Sequence, residues 1–165
     1  CLPYGVPRLS QYPIKIVQTS KLLLILDEAD AYVARQIFLD RGHPKDPDPI
    51  WLGDSVAKWD GDTLVIDTVG LNDKTWLNAD GIPHGEQLHV VERYTRPNYG
   101  TLVLKATVED PGTLTHPVDL TFTARLLRPS RETGVGDLME FICLEDNEYG
   151  QAAKIQIGGG TDGKK

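Results

Sequence analysis

His84, Glu86, His89 and Glu92 stand in the pattern H-x-E-x-x-H-x-x-E. Imidazole and carboxylate side by side are the parts of a general acid–base pair, and also of a zinc site. Spacing limits both readings. Pro83 and the β-branched run after Leu88 argue against a helix, so this is not a helical zinc signature, and no metal ligands are assigned. On a strand His89 and Glu92 face opposite sides, while His84 falls in a loop from which it can swing in. The ordinary alternative is a loop histidine and a cross-strand pair.

Glu92 lies in register with Leu88, Val90 and Tyr94 on an apolar face. A carboxylate turned into a core needs a partner or a raised pKa. Glu140 poses the same question beside Leu138 and Ile142. Two inward carboxylates can do acid–base work, so His84, His89, Glu92 and Glu140 form the candidate catalytic set. The alternative is that each acid is salt-bridged, with Arg35, Arg93 or Arg125 on offer, and is structural.

Trp51, Trp59 and Trp76 all fall in one stretch that runs on to Tyr94 and Tyr99. Indole and phenol rings give large contact area at low entropic cost, and could line a site for a small apolar or sugar-like molecule. Core and barrel-end plugging is the commoner use of such residues. With Tyr94, the three tryptophans are the candidate ligand-binding residues. Asp73 and Lys74, in a loop after an apolar strand, are candidates for its polar rim, although Asn72-Asp73 is also plain turn chemistry. No G-x-S-x-G elbow, phosphate loop or dinucleotide fingerprint is present, and no cofactor is expected.

Short strands must position these residues. The segments 55–59 and 63–69 (TLVIDTV) flank Asp60-Gly61, read as a two-residue type I′ hairpin loop. A second hairpin joins 88–95 to 101–110 through Arg96-Pro97-Asn98-Tyr99-Gly100. In it Leu102, Leu104, Ala106 and Val108 alternate with Val103, Lys105, Thr107 and Glu109, the period of a half-buried strand. Further strands are expected at 14–18, 21–28, 35–40, 119–127 and 137–145. Segment 21–28 (KLLLILDE) is so apolar that burial on both faces is expected. The fold expected is all-β, an antiparallel eight- to ten-stranded calycin- or lipocalin-like barrel, with a β-sandwich as the alternative. One domain is expected over 1–148, opened by a proline-rich arm (1–13) and followed by a flexible tail (149–165).

The chain has 165 residues, 40% hydrophobic and 25% charged, with net charge −7. That composition is globular. The negative balance argues against nucleic acid as a partner, because phosphate binding needs a basic footprint. No apolar run approaches the ~20 residues of a bilayer-spanning helix, so no membrane span is expected. The two cysteines, Cys1 and Cys143, are expected to form one disulfide in an oxidising compartment, unless their presence is chance. A processed leader ahead of Cys1, or a lipid on it, stays open.

The segments RQIFLDRGHPKDP, WLGDSVAKWDGDTLVIDTVGLNDKTWL, GIPHGEQLHVVERYTRPNYGTL and EFICLEDNE resemble a group of uncharacterised exported proteins of soil bacteria. Its pattern runs CLP-x-G-x-PR, W-x-GDTLV-x-DT, PH, ER and E-x-x-C-x-E-N. The likeness extends from Cys1 to about Glu148. It departs at Asp146, which separates Glu145 from Asn147, and at Leu39-Asp40-Arg41-Gly42, where the group carries Asp-Gly-Arg. The resemblance implies a secreted or periplasmic protein with a cysteine near each end, and implies no activity. Three functions are then expected as alternatives. One is a barrel that binds a small apolar or aromatic ligand. Another is a cofactor-free hydrolase, lyase or isomerase. The third is a homo-oligomeric extracellular subunit docking through its N-terminal arm.

Overall fold

The computed structural model describes residues 3–8, 13–28, 34–78, 80–127 and 138. Cys1, Cys143, Glu140, the strand expected at 137–145 and the tail 149–165 lie outside the described residues, Leu138 apart. Among the described residues eight strands follow in chain order: β1 (Ile14–Gln18), β2 (Leu22–Asp27), β3 (Arg35–Phe38), β4 (Asp54–Asp60), β5 (Thr63–Val69), β6 (His89–Asn98), β7 (Thr101–Glu109) and β8 (Val118–Arg125). They form one sheet, each beside its neighbour in sequence, and the sheet curls into a half-barrel. Among the described residues no helix is long and apolar enough to cross a membrane.

The expectation of an all-antiparallel sheet fails at one join. β3 and β4 are parallel, through Ile37↔Ser55 and Phe38↔Val56. A hairpin would reverse direction. Here the segment 39–53 returns the chain to the end where β3 began, as a parallel neighbour requires. Gly53 closes that return with φ +65, immediately before β4.

The β4–β5 hairpin is present with its loop one residue further on. Asp60 pairs with Thr63, so Gly61 and Asp62 make the turn, and Gly61 takes φ 58. Glycine carries the positive φ where Asp would be strained. In the next hairpin Pro97 lies inside β6 rather than in a loop. The register shifts between Thr95 and Asn98, a bulge that tolerates a residue without an N–H. β2 departs as well. Leu23 and Ile25 are buried, but Leu22, Leu24 and Leu26 are only half-buried, so this strand has one core face rather than two.

β7 follows its expected alternation, with Leu104, Ala106 and Val108 buried. Inward residues form two apolar clusters. One joins Val6, Leu52, Leu71, Leu88, Val90 and Val108. The other joins Leu23, Ile25, Ile37, Leu64 and Ile66, with Tyr94 packed against it. Val6, from the N-terminal arm, is 1% exposed, so the arm plugs the first cluster.

Candidate functional site

Three sites emerge from this frame. The first is polar and buried. Arg35 of β3, Ser55 of β4, Thr68 of β5 and Glu92 of β6 all point inward, each at or below 1% exposure. Arg35 ion-pairs with Glu92 through Nη2. The same nitrogen donates to Thr68 Oγ1 at 2.8 Å, and Nε donates to Ser55 Oγ at 3.3 Å. Tyr94 donates its hydroxyl to Glu92 Oε1 at 3.1 Å. Glu92 therefore accepts from an arginine and a phenol. Burial alone would weaken the hold of Arg35 on its proton, but the field and hydrogen bond of Glu92 reverse that and raise its pKa. Burial, then the Glu92 carboxylate, push the Tyr94 phenol well above its ordinary value.

The second site is the concave face itself, a groove of about 730 Å³. One wall comes from Ile14, Ile16 and Ile25 of β1 and β2, the other from Leu102, Leu104 and Phe122 of β7 and β8, and Leu138 also lines it. The Tyr94 ring reaches the groove while its hydroxyl turns to Glu92, so the apolar groove adjoins the polar network.

The third lies on the outer face of the sheet. His43, in the return segment after β3, places Nδ1 2.7 Å from Asp54 Oδ1 and Nε2 3.1 Å from Asp67 Oδ1. His89 Nε2 meets the same Asp67 Oδ1 at 3.1 Å, and its Nδ1 lies 3.8 Å from Glu109 Oε2. Arg41 clamps both oxygens of Asp54. Burial raises the Asp54 pKa, but the hydrogen bonds from Arg41 and His43 outweigh it and the net direction is down.

The residues singled out by sequence separate among these places. Of the described candidate site residues, Tyr94 alone lines the groove. Trp51 packs against the plugged cluster, with Lys74 Nζ 5.9 Å from its ring centre. Trp76 and Trp59 are 55% and 54% exposed at different ends of the sheet, so the three indoles do not converge. Asp73 and Lys74 are exposed in the segment between β5 and β6. His84 is buried in that segment. Its Nδ1 faces the Gly85 carbonyl at 3.1 Å, which only accepts, so Nδ1 donates and Nε2 is left to accept from Thr75 Oγ1 at 2.7 Å. Neither His84 nor His89 makes a hydrogen bond to Glu92. Sequence spacing missed His43, Asp54 and Asp67. The available signal was Asp67, an acid inside the β-branched strand TLVIDTV.

Asp110 anchors the loop that carries His84. Its carboxylate, 2% exposed, accepts from the amides of Gly85 at 2.6 Å and Gly112 at 3.1 Å and from the Thr113 hydroxyl. Burial works to raise its pKa; the hydrogen bonds from Gly85, Thr113 and Gly112 outweigh it, and the net direction is down. A depressed carboxylate stabilises the fold above its unfolded pKa, near 3.8, and that contribution is lost as pH falls through the lower folded value. Asp110→Asn is expected to cost about 1–3 kcal/mol at neutral pH. Urea titrations from pH 7 downward should show the two proteins converging below the ordinary carboxylate range. A gap independent of pH would rule the charge out as the cause.

No protein-family model, curated protein or solved structure matches the chain. The class that fold and sites define is accordingly structural: an all-β half-barrel with an apolar concave groove beside a buried ion pair.

Proposed function

We propose that this is a calycin-like binding protein whose concave groove takes one small apolar or aromatic molecule. The observation that carries the reading is the groove of about 730 Å³ walled by Ile14, Ile25, Leu104 and Phe122. That volume lies within the roughly 300–1,000 Å³ range of small-molecule sites. Apolar surface supplies the affinity and the Tyr94 side supplies the polar edge. The ion pairing of Glu92 with Arg35, out of reach of both histidines, favours this over an acid–base enzyme built on His84, His89 and Glu92. In keeping with its resemblance to exported proteins, the binding protein works outside the cytoplasm.

The test is a fluorescence titration with N-phenyl-1-naphthylamine, a neutral apolar probe. Saturable binding at one probe per chain is expected. Ala124→Arg places a long charged side chain at an exposed position of the groove wall, where the fold tolerates it, and should weaken binding about tenfold or more, as expected when apolar contact is replaced by a charge. Trp76→Ala, on the far segment, should leave binding unchanged. Binding that ignores Ala124→Arg, or no saturable binding, would reject the groove as the site.

A further inference from the structure

We propose that the groove takes an amphipathic anion, with an apolar body laid along its walls and one carboxylate held at the end marked by Arg96 and Arg125. This deepens the binding reading above and rests on it. Charge distribution is the first observation. The chain carries 24 acidic against 17 basic residues. Among the described residues that line the groove there is no Asp or Glu, while Lys15, Arg96 and Arg125 all contribute. An acidic protein thus surrounds this apolar surface with positive charge. The acids close by do not offset it at the arginine end. Glu92, beside Tyr94, is paired with Arg35 inside the sheet. Asp27 and Glu28 meet Ile14 and Pro13 across the β1–β2 pair, on the wall opposite Arg96 and Arg125, and neither lines the groove.

The second observation is where those charges stand. Arg96 donates from Nη2 to the Tyr99 carbonyl at 2.7 Å, and its guanidinium lies 5.0 Å from the centre of the Tyr99 ring. Arg125 pairs with Thr101 in the β7–β8 ladder, and the next amide, of Leu126, donates to the Gly100 carbonyl. Both arginines therefore flank the Tyr99-Gly100 turn, at one end of the groove. From that turn Leu102, Leu104 and Phe122 carry the wall onward as apolar surface. A ligand charged at one end and apolar along its length matches this order of surfaces. A guanidinium stays protonated and offers a planar fork that suits a carboxylate. The net charge of −7 turns away large polyanions, so the fit is to a small anion with a single charged head.

Decanoate and decan-1-ol, which share an apolar body and differ in the head group, would each be used to displace N-phenyl-1-naphthylamine from the full-length chain. Decanoate is expected to displace the probe at about tenfold lower concentration. That advantage should narrow as salt rises from about 0.02 M to about 0.5 M, because an exposed charge pair is screened. Arg96→Gln and Arg125→Gln should each cut the advantage about threefold or more and leave decan-1-ol unaffected. Arg93→Gln removes the same charge from an exposed position of β6 that does not line the groove, and should change neither ligand. All three positions are exposed, and circular dichroism checks the fold of each variant. Equal displacement by the acid and the alcohol, or an advantage that survives both groove-arginine variants, would overturn the anion proposal, while saturable binding of the probe itself would keep the groove reading standing. A chain that binds no probe would remove both readings together.

Discussion

Glu92→Ala should lower the unfolding free energy by about 3–5 kcal/mol, the cost of leaving a buried charge without its partner. The guanidinium of Arg35 is 1% exposed, and among the described residues Glu92 is its only anionic contact. Ser55 and Thr68 hold it but cannot neutralise it. Tyr94 would lose its acceptor at the same stroke. The pair is not irreplaceable in principle, since well-packed apolar residues of similar volume often do as well. An Arg35→Met, Glu92→Leu double variant should therefore recover most of the loss. Urea unfolding of the three variants decides the matter. A cost under about 1 kcal/mol for Glu92→Ala would mean that Arg35 reaches water and that the polar network is not sealed.

Gly53→Ala is expected to be nearly as damaging. A Cβ there would stand 2.6 Å from the Val69 carbonyl oxygen and 2.9 Å from Thr68 Cγ2, on a backbone at φ +65. The left-handed conformation alone costs about 1–3 kcal/mol. The carbonyl belongs to β5 and cannot retreat without disturbing its ladder to β4. Gly61→Ala supplies the comparison, because its φ is +58 with nothing within 4 Å. It should show the conformational cost alone, about 1–3 kcal/mol. Thermal midpoints that fall equally for the two variants would refute the close-approach argument.

Much of this fold is legible in residue order, because hairpins and period-two alternation are local. TLVIDTV beside its Gly-containing turn, and Leu102, Leu104, Ala106 and Val108 on one face, need no distant information. The burial of Glu92 is legible for the same reason, since its neighbours at ±2 and −4 are Val90, Tyr94 and Leu88, and Arg35 was among its foreseeable partners. What is not legible is whatever the β3–β4 join creates. His43, Asp54, Asp67 and His89 come from a return segment and three strands, and no spacing rule links them. The groove escaped for a related reason. It is bounded by strands from opposite ends of the sheet, and aromatic density along the chain pointed instead to Trp51, beside the plugged cluster, and to the exposed Trp59 and Trp76.

The β3–β4 join also sets how the molecule comes apart. Two residue pairs connect β3 to β4, whereas seven connect β4 to β5. The sheet therefore divides into β1–β3 and β4–β8 along a join with few ladder pairs. Side chains stitch it: Arg35 reaches across to Glu92 inside, and His43 to Asp67 outside. Partial opening follows the line of fewest ladder bonds, so the amides of β2 and β3 exchange with solvent ahead of those in β5 and β6. The apolar cluster of Leu23, Ile25 and Ile37 with Leu64 and Ile66 spans the same join, so its burial and the Arg35–Glu92 pair together set how often the join opens.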